Sequence, residues 1–380
     1  MRVEVNPKLL RWACERSGTS IETLTERIPR LTDWYRGTAK PTLKQLEHFA
    51  KVTHAPIGYL FLSEPPVERM PIPDFRTVVN EHLDRPSPDL LDTIYLCQQR
   101  QEWFRDFARS SGEKALPFVG SARVGDDVEK VARDIRHALK FDIEERRKMA
   151  TWVDALRSFI DQADSLGILV MCNGVVANDT HRALEPAEFR GFAMSDDLAP
   201  LVFINGKDTK AAQMFTLAHE LAHIWIGQSA VSDVQASWVS EHKIERWCNR
   251  VAAELLVPLA VIKEEYRGKA DLMEEMDRLA RRFKVSTLVV LRRIYDAGGI
   301  SQDQFRQIYQ AEVERLKALV AKSGGGNFYL TQAARVSKRF SRALVVSTLE
   351  GQTLYRDALR MLGFSKMNTF RELGHSLGVG

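Results

Sequence analysis

The chain has 380 residues, of which 44% are hydrophobic and 27% are charged, with a formal net charge of +4. These values are typical of globular proteins and argue against a largely disordered, collagen-like or coiled-coil chain, and the length predicts two or three domains. No apolar run is long enough to cross a bilayer, and the N-terminus lacks an apolar signal segment, so we expect a cytoplasmic protein without a membrane partner. The four cysteines are too scattered for a disulfide framework or a cysteine zinc site.

Two breaks in composition predict the domain boundaries. Residues 65–73 contain four prolines, and residues 324–326 are all glycine. Proline fixes φ and removes a backbone donor, whereas consecutive glycines disfavour regular structure. We therefore expect a head at 1–62, a linker at 63–76, a body at 77–323 and a helical tail at 327–380. The head and tail carry net charges of +4 and +5 and residues 63–326 carry −5, so the basic ends are candidates for nucleic-acid contact.

The head is predicted to form short helices. Ser20 with Thr23 has the spacing of a helix cap, and helical periodicity follows Pro41. Together with residues 34–37 and 40–46, this stretch resembles the Xre (Cro/repressor-like) helix-turn-helix class. The segment where the recognition helix belongs is about one helical turn shorter than usual. Three arginines there are predicted to contact DNA phosphates, namely Arg27, Arg30 and Arg36. The alternative role for the head is a docking or dimerisation module.

The body alternates between helical and strand-like patterns. Helices are expected at about 88–110, 126–140, 144–165, 209–226, 241–257 and through 271–322. Short apolar runs at 167–171, 189–194 and 200–205 are typical of strands. The predicted fold class is therefore α+β, mainly helical with a small sheet, flanked by helical regions at both ends.

Residues 215–226 read FTLAHELAHIWI and contain an HExxH motif. On a helix, His219 and His223 lie one turn apart on the same face, so both can bind one Zn²⁺ at about 2.0–2.1 Å. Glu220 lies on the adjacent side and would act as general base on the water at the metal. The alternative is a pair of core histidines without a metal.

A third ligand is expected from a second helix packed on the first. Glu241, Glu245 and Glu254 all lie in the next helical segment. Glu245 shares a face with short side chains that allow a close approach. Glu254 is flanked by leucines and is a candidate for orienting a ligand histidine from behind. Spacing alone leaves the choice between these carboxylates open.

The pair of motifs FTLAHELAHIW and ERWCNRVAAELLVP resembles the ImmA/IrrE family of zincin-like metallopeptidases. The preceding stretch, EFRGFAMSDDLAPLVFINGKDTKAAQ, resembles the strand region of that family, and the firm similarity covers about 160–260. The resemblance implies zinc bound by His219, His223 and Glu245, with Glu220 as catalytic base. It also implies a bacterial or phage-borne protein that cleaves or inactivates a repressor of the helix-turn-helix class.

Two further features bear on peptide chemistry. His242 lies one helical turn before Glu245 and is a candidate donor to a developing oxyanion, with a surface histidine as the alternative. The strands at 189–194 and 201–205 are candidates to offer an edge to an extended peptide, with ordinary strand pairing as the alternative.

The tail contains a basic stretch from Arg335 to Arg342 and then two helical segments meeting at Gly363. This pattern is typical of a second helix-turn-helix, although Leu359 occupies a position that is usually small. The alternative is a helical hairpin that packs on the body or on a partner.

The sequence therefore predicts a zinc endopeptidase, with Mn²⁺ as an alternative metal because two histidines and a carboxylate accept several divalent ions. The domain arrangement resembles regulators encoded beside a toxin, which implies a toxin–antitoxin or stress-response setting and a PIN-domain ribonuclease as partner. The rival interpretation is a non-catalytic antitoxin or a DNA-binding transcription regulator whose peptidase-like domain senses a signal.

Overall fold

The computed structural model describes residues 2–75, 86–232, 242–268, 270–320 and 335–379. The described chain divides into two compact units, one containing 2–71 and 86–95 and the other containing 72–75 and the residues from 96 onward. The architecture is mainly helical with a small mixed sheet, and helical regions stand at both ends. The predicted α+β class is thus confirmed.

The first unit is built from short helices around a small apolar core. Its helices are α1 (Pro7–Arg16), α2 (Ile21–Arg27), α3 (Leu31–Tyr35) and α4 (Leu43–Val52), followed by a 3-10 turn at Ile57–Phe61. The Ser20 hydroxyl accepts a hydrogen bond from the Thr23 amide, so it caps α2 as its spacing predicted. Helix α3, where the recognition helix was expected, has only five residues.

Four helices come before the sheet in chain order. They are α5 (Pro88–Ser110, which begins in the first unit and ends in the second), α6 (Val128–Leu139), α7 (Ile143–Lys148) and α8 (Trp152–Leu166). The single helix predicted at 144–165 is wrong, because the chain breaks between Lys148 and Trp152. Met149 is extended, and the Thr151 hydroxyl accepts from the Asp154 amide to start α8 afresh.

The sheet has four short strands, namely β1 (Leu169–Asn173), β2 (Gly191–Met194), β3 (Leu201–Asn205) and β4 (Ala230–Ser232). Their order is β1-β3-β2-β4, with β1 parallel to β3 and β2 antiparallel to both β3 and β4. Strands β2 and β3 pair on both sides, so the expectation that they offer an open edge to a peptide is wrong. Strand β4, which the sequence analysis did not predict, forms the edge beside β2.

Among the residues described up to 320, six further helices come after β3, the first of them between β3 and β4. They are α9 (Lys210–Trp225), α10 (Lys243–Leu256), α11 (Leu259–Glu265), α12 (Leu272–Phe283), α13 (Thr287–Asp296) and α14 (Gln302–Val320). Helix α9 contacts β2, β3, α8 and α10, and every residue from Gln213 to Trp225 is buried. Its apolar sequence is therefore explained by neighbours on all sides.

The tail consists of α15 (Lys338–Leu349), α16 (Tyr355–Leu362) and α17 (Met367–Ser376). Gly363 ends α16 with a φ of 71°, in the left-handed region that glycine favours. The basic stretch packs on the body within the same unit, since Arg339 pairs with Glu113 and Lys338 with Asp161. Packing on the body agrees with the helical-hairpin alternative, and the second helix-turn-helix stays a prediction. The triple glycine at 324–326 lies outside the described residues.

None of the helices that the structure describes combines the length and apolar character needed to cross a bilayer.

Candidate metal centre and active site

The centre is built by α9 and α10, which pack closely against each other. The Thr209 hydroxyl accepts from the Ala212 amide and starts α9, whose pitch then places His219 and His223 on one face. Both imidazoles are fully buried, and their Nε2 atoms are 3.1 Å apart. The first turn of α10 brings Glu245 to the same point.

Glu245 completes a three-residue group. Its Oε2 lies 3.2 Å from His219 Nε2 and its Oε1 lies 3.0 Å from His223 Nε2. Among the described residues, these are the three that could together hold a metal ion. Of the other two carboxylates considered, Glu254 lies elsewhere, and Glu241 falls outside the described residues.

Asn249 fixes the orientation of one imidazole. It follows Glu245 by one turn of α10, and its Oδ1 lies 2.9 Å from His219 Nδ1. Since an amide oxygen can only accept, Nδ1 of His219 carries the proton, and its Nε2 presents a lone pair to Glu245 and His223 when the ring is neutral. Asn249 is one of the short side chains on the face of Glu245, and its i+4 spacing from Glu245 was a usable signal for this contact.

The donor set fits a divalent cation. Glu245 Oε1 faces His223 Nε2 without hydrogen-bond geometry, and His223 Nδ1 has no hydrogen-bond partner among the described residues. Glu245 Oε1 and His223 Nδ1 are thus buried without a hydrogen bond in the described part of the chain, which is costly. Two imidazole nitrogens and one carboxylate oxygen make a set that Zn²⁺ accepts while one position stays open.

The pKa values of the group follow from burial and charge. Burial lowers the pKa of His223, although the carboxylate of Glu245 works against that shift. Burial alone would raise the pKa of Glu245, but the two imidazoles outweigh it and hold the pKa well below its usual range. The carboxylate is therefore ionised and the His223 ring is biased to its neutral form, which are the states in which both bind metals.

Glu220 stands beside this group with a different environment. It is fully buried, its carboxylate oxygens meet no donor at full hydrogen-bond geometry among the described residues, and the Ser232 hydroxyl is the polar group beside them. Burial, and next the negative charge of Glu245, raise its pKa well above the usual value. A carboxyl with a raised pKa is suited to accept and then release a proton near neutral pH.

Gly191 on β2 lets the sheet come close to Glu220. A Cβ at this position would lie 2.5 Å from Thr216 Cγ2, 2.8 Å from the Phe203 carbonyl oxygen and 3.2 Å from Glu220 Oε1. Any larger residue would have to displace helix α9 or strand β3. The sequence analysis included Gly191 in a strand but did not single it out.

The structure does not bring the other candidate residues into the three-residue group. His242 is exposed at the N-cap of α10, and its ring centroid is 4.5 Å from that of Phe75, which lies 6.3 Å from His223. Glu254 pairs with Arg293 and accepts from the Leu259 amide at 3.1 Å, so it does not orient a ligand histidine. The residue that hydrogen-bonds to a candidate ligand histidine is Asn249.

The arginines predicted to contact DNA are all exposed in the first unit. Arg27 ends α2, Arg30 precedes α3 and Arg36 follows it. Arg30 lies 3.8 Å from Asp33, a distance typical of a loose surface ion pair. DNA binding by these residues stays a prediction.

Comparison with known proteins places the centre in a family domain. Residues 163–295 match the family model Peptidase_M78, described as the IrrE N-terminal-like domain, and residues 336–376 match a domain of unknown function, DUF8813. No curated protein matches the chain. The first match spans all residues of the centre and supports the ImmA/IrrE resemblance for this part of the chain, which is a metallopeptidase-like domain.

Proposed function

We propose that the chain is a zinc-dependent endopeptidase of the ImmA/IrrE type that cleaves or inactivates a regulatory protein. The observation that carries the proposal is the meeting of His219, His223 and Glu245, fully or almost fully buried, beside the fully buried carboxylate of Glu220. A purely structural cluster would pair these groups with donors of the protein itself.

The residues divide the chemistry of peptide hydrolysis between them. Zn²⁺ held by the three ligands would supply Lewis-acid polarisation of the scissile carbonyl, and Mn²⁺ suits the same ligands. Glu220 would take a proton from the attacking water and pass it to the leaving amine nitrogen. His242, exposed at the start of α10, remains the candidate donor to the negative charge that develops on the carbonyl oxygen.

The nature of the substrate rests on the family resemblance and on the head. A repressor of the helix-turn-helix class or an antitoxin is the proposed target, in a stress-response or toxin–antitoxin setting with a PIN-domain ribonuclease as a proposed partner. The exposed arginines around α3 support a second proposal, that the first unit contacts DNA and localises the peptidase near a regulated site.

A Glu220→Gln variant of the full chain tests the peptidase proposal. The amide keeps the size of the side chain but cannot accept the proton, so hydrolysis of labelled casein falls by about 10²–10⁴-fold while the bound metal is unchanged. Glu274→Gln, which alters an exposed carboxylate on α12, is the matched control and keeps full activity. Product masses identify the cleaved bonds.

The same variant separates the enzyme from the non-catalytic alternative. If Glu220→Gln retains the full regulatory effect of the wild type in cells, the metal centre is structural and the chain acts as an antitoxin or transcription regulator. In that case, salt-dependent DNA binding that is lost on replacing Arg27, Arg30 and Arg36 would identify the regulator.

A further inference from the structure

The outer edge of β4 is covered by a segment from the linker. Asp74 lies opposite Val231 in a parallel bridge. The Val231 amide donates to the Pro73 carbonyl at 2.9 Å, and the Phe75 amide donates to the Val231 carbonyl at 3.0 Å. We call Pro73–Phe75 the occluding segment. Because it takes up the hydrogen-bonding groups of Val231, this edge strand has its outward-facing backbone paired.

The occluding segment runs past the candidate centre. The Phe75 ring lies 4.5 Å from the His242 ring and 6.3 Å from the ring of the metal-ligand candidate His223, centroid to centroid. On the other side of β4, Ser232 pairs with Gly191, whose added Cβ would stand 3.2 Å from Glu220 Oε1. The edge of β4 is therefore the sheet edge next to the proposed catalytic carboxylate.

An endopeptidase has to hold its substrate as an extended chain across the reacting groups. A sheet edge does this through backbone hydrogen bonds that do not depend on sequence, and side-chain pockets then select particular residues. Strands β2 and β3 are paired on both sides, so within the described sheet the edge beside Glu220 belongs to β4. The occluding segment lies where such a peptide would bind.

We propose that Pro73–Phe75 is an internal occupant of the peptide-binding edge, and that a substrate peptide binds by replacing it on β4. An aromatic side chain of the substrate then takes the place of Phe75 between His223 and His242. This inference rests on the proposed peptidase function, because it assigns the substrate strand and an aromatic specificity site to that same centre.

The sequence of the segment suits reversible occupation. Pro73 offers its carbonyl to β4 but has no amide hydrogen, as is typical of a residue at the rim of a sheet. The segment makes two backbone hydrogen bonds with Val231 and two ring contacts through Phe75, and an extended peptide with an aromatic residue reproduces all four. A substrate peptide that replaces the occluding segment through the same contacts leaves the pairing of the sheet strands unchanged.

Binding of a synthetic peptide tests the proposal without requiring catalysis. The probe is a fluorescein-labelled peptide with the sequence of residues 69–75, RMPIPDF, and its anisotropy is measured with full-length Glu220→Gln protein. Adding Phe75→Ala removes the ring of the internal occupant, and Phe75→Pro also removes its amide donor. We expect the probe to bind at least about tenfold more tightly to the Phe75→Pro protein, with Phe75→Ala in between.

Two controls sharpen this measurement. Val67→Ala removes an exposed apolar side chain from the same linker without touching the described contacts with β4, so it leaves probe affinity unchanged. A probe ending in Ala instead of Phe binds less tightly to the Phe75→Pro protein. Equal affinity for all variants, or no binding to any of them, would overturn the proposal.

Activity measurements distinguish this inference from the proposed function. If Phe75→Pro in the chain with Glu220 intact cleaves casein faster than the wild type, both proposals are supported. If it binds the probe more tightly but hydrolyses nothing, the edge is a peptide-binding site and the peptidase proposal fails. If the wild type hydrolyses casein as fast as Phe75→Pro and the probe affinity does not change, the occlusion proposal alone fails.

Discussion

Helix α10 carries a buried glutamate near each end, and the two have opposite surroundings. Glu245 and Glu254 are 3% and 5% exposed. Glu254 meets the guanidinium of Arg293 and a backbone amide, so its charge and its acceptor atoms are matched by the protein. Glu245 instead meets two imidazole nitrogens, one of which presents a lone pair because its ring donates elsewhere.

The contrast shows how to separate a structural carboxylate from a candidate ligand on the same helix. Burial and residue type are the same for both, so neither property distinguishes them. What differs is the partner, because Glu254 meets a guanidinium and Glu245 meets two imidazole nitrogens. The guanidinium compensates the charge of Glu254, whereas a buried carboxylate beside two imidazole nitrogens has the ligand set of a divalent cation.

Exchanging each carboxylate for its amide gives the largest expected effects. Glu245→Gln replaces an anionic ligand atom by a weak neutral one, so zinc content after dialysis falls from about one ion per chain to below about a tenth. Glu254→Gln keeps the zinc but removes one of the two carboxylates that pair with the buried Arg293, Asp296 being the other, which lowers the free energy of unfolding by about 1–3 kcal/mol. Elemental analysis and urea unfolding in the presence of chelator measure the two effects.

Two outcomes would contradict the predicted difference between Glu245 and Glu254. If Glu254→Gln loses zinc as completely as Glu245→Gln, or if both lose the same stability without metal, the two ends of α10 do not differ in role. His223→Ala serves as the positive control for loss of metal, because it removes a second proposed ligand from the same group.

A second prediction concerns the hydrogen bond that orients His219. Asn249→Ala removes the acceptor for Nδ1, so the ring can adopt other orientations and tautomers. We expect zinc affinity to fall by about 10–100-fold, less than for loss of a ligand. Competition with a chromogenic chelator measures the dissociation constant.

The conservative variant gives the control for this prediction. Asn249→Asp keeps an oxygen near Nδ1 and recovers at least part of the affinity lost in Asn249→Ala. If the Ala and Asp variants bind zinc equally well, Asn249 fills space next to the imidazole and does not orient it.

The sequence predicts the helices and the histidine pair well, because residues close together in the chain determine them. The positions of His219 and His223 follow from helical pitch alone, and the α9 and α10 segments were predicted within a few residues. The break near Met149 was missed although Thr151 and Asp154 have cap spacing, because the apolar periodicity continues across it.

Features that depend on distant contacts were not predictable in this way. Strand β4 has three residues, too few for a periodic pattern, and its pairing with residues 73–75 joins segments more than 150 residues apart. The position of Glu254 depends on Arg293 from α13, which the apolar neighbours of Glu254 did not indicate. The proline-rich linker predicted an extended chain but not where Phe75 lies.

The smallest expected effect concerns Gly191 on β2, which lies outside α10 but next to Glu220. Gly191→Ala adds one methyl group between β2 and α9, where it meets Thr216, the Phe203 carbonyl and Glu220. Because two of these neighbours belong to the helix that carries the histidines, we expect a loss of about 1–3 kcal/mol in stability and a lower rate of casein hydrolysis at unchanged zinc content. Gly58→Ala is the matched control, since a methyl group there meets no atom within 4 Å. Full activity of Gly191→Ala would mean that Glu220 tolerates displacement. Its proposed role as base would then need less exact placement than the role of Glu245 as a metal ligand.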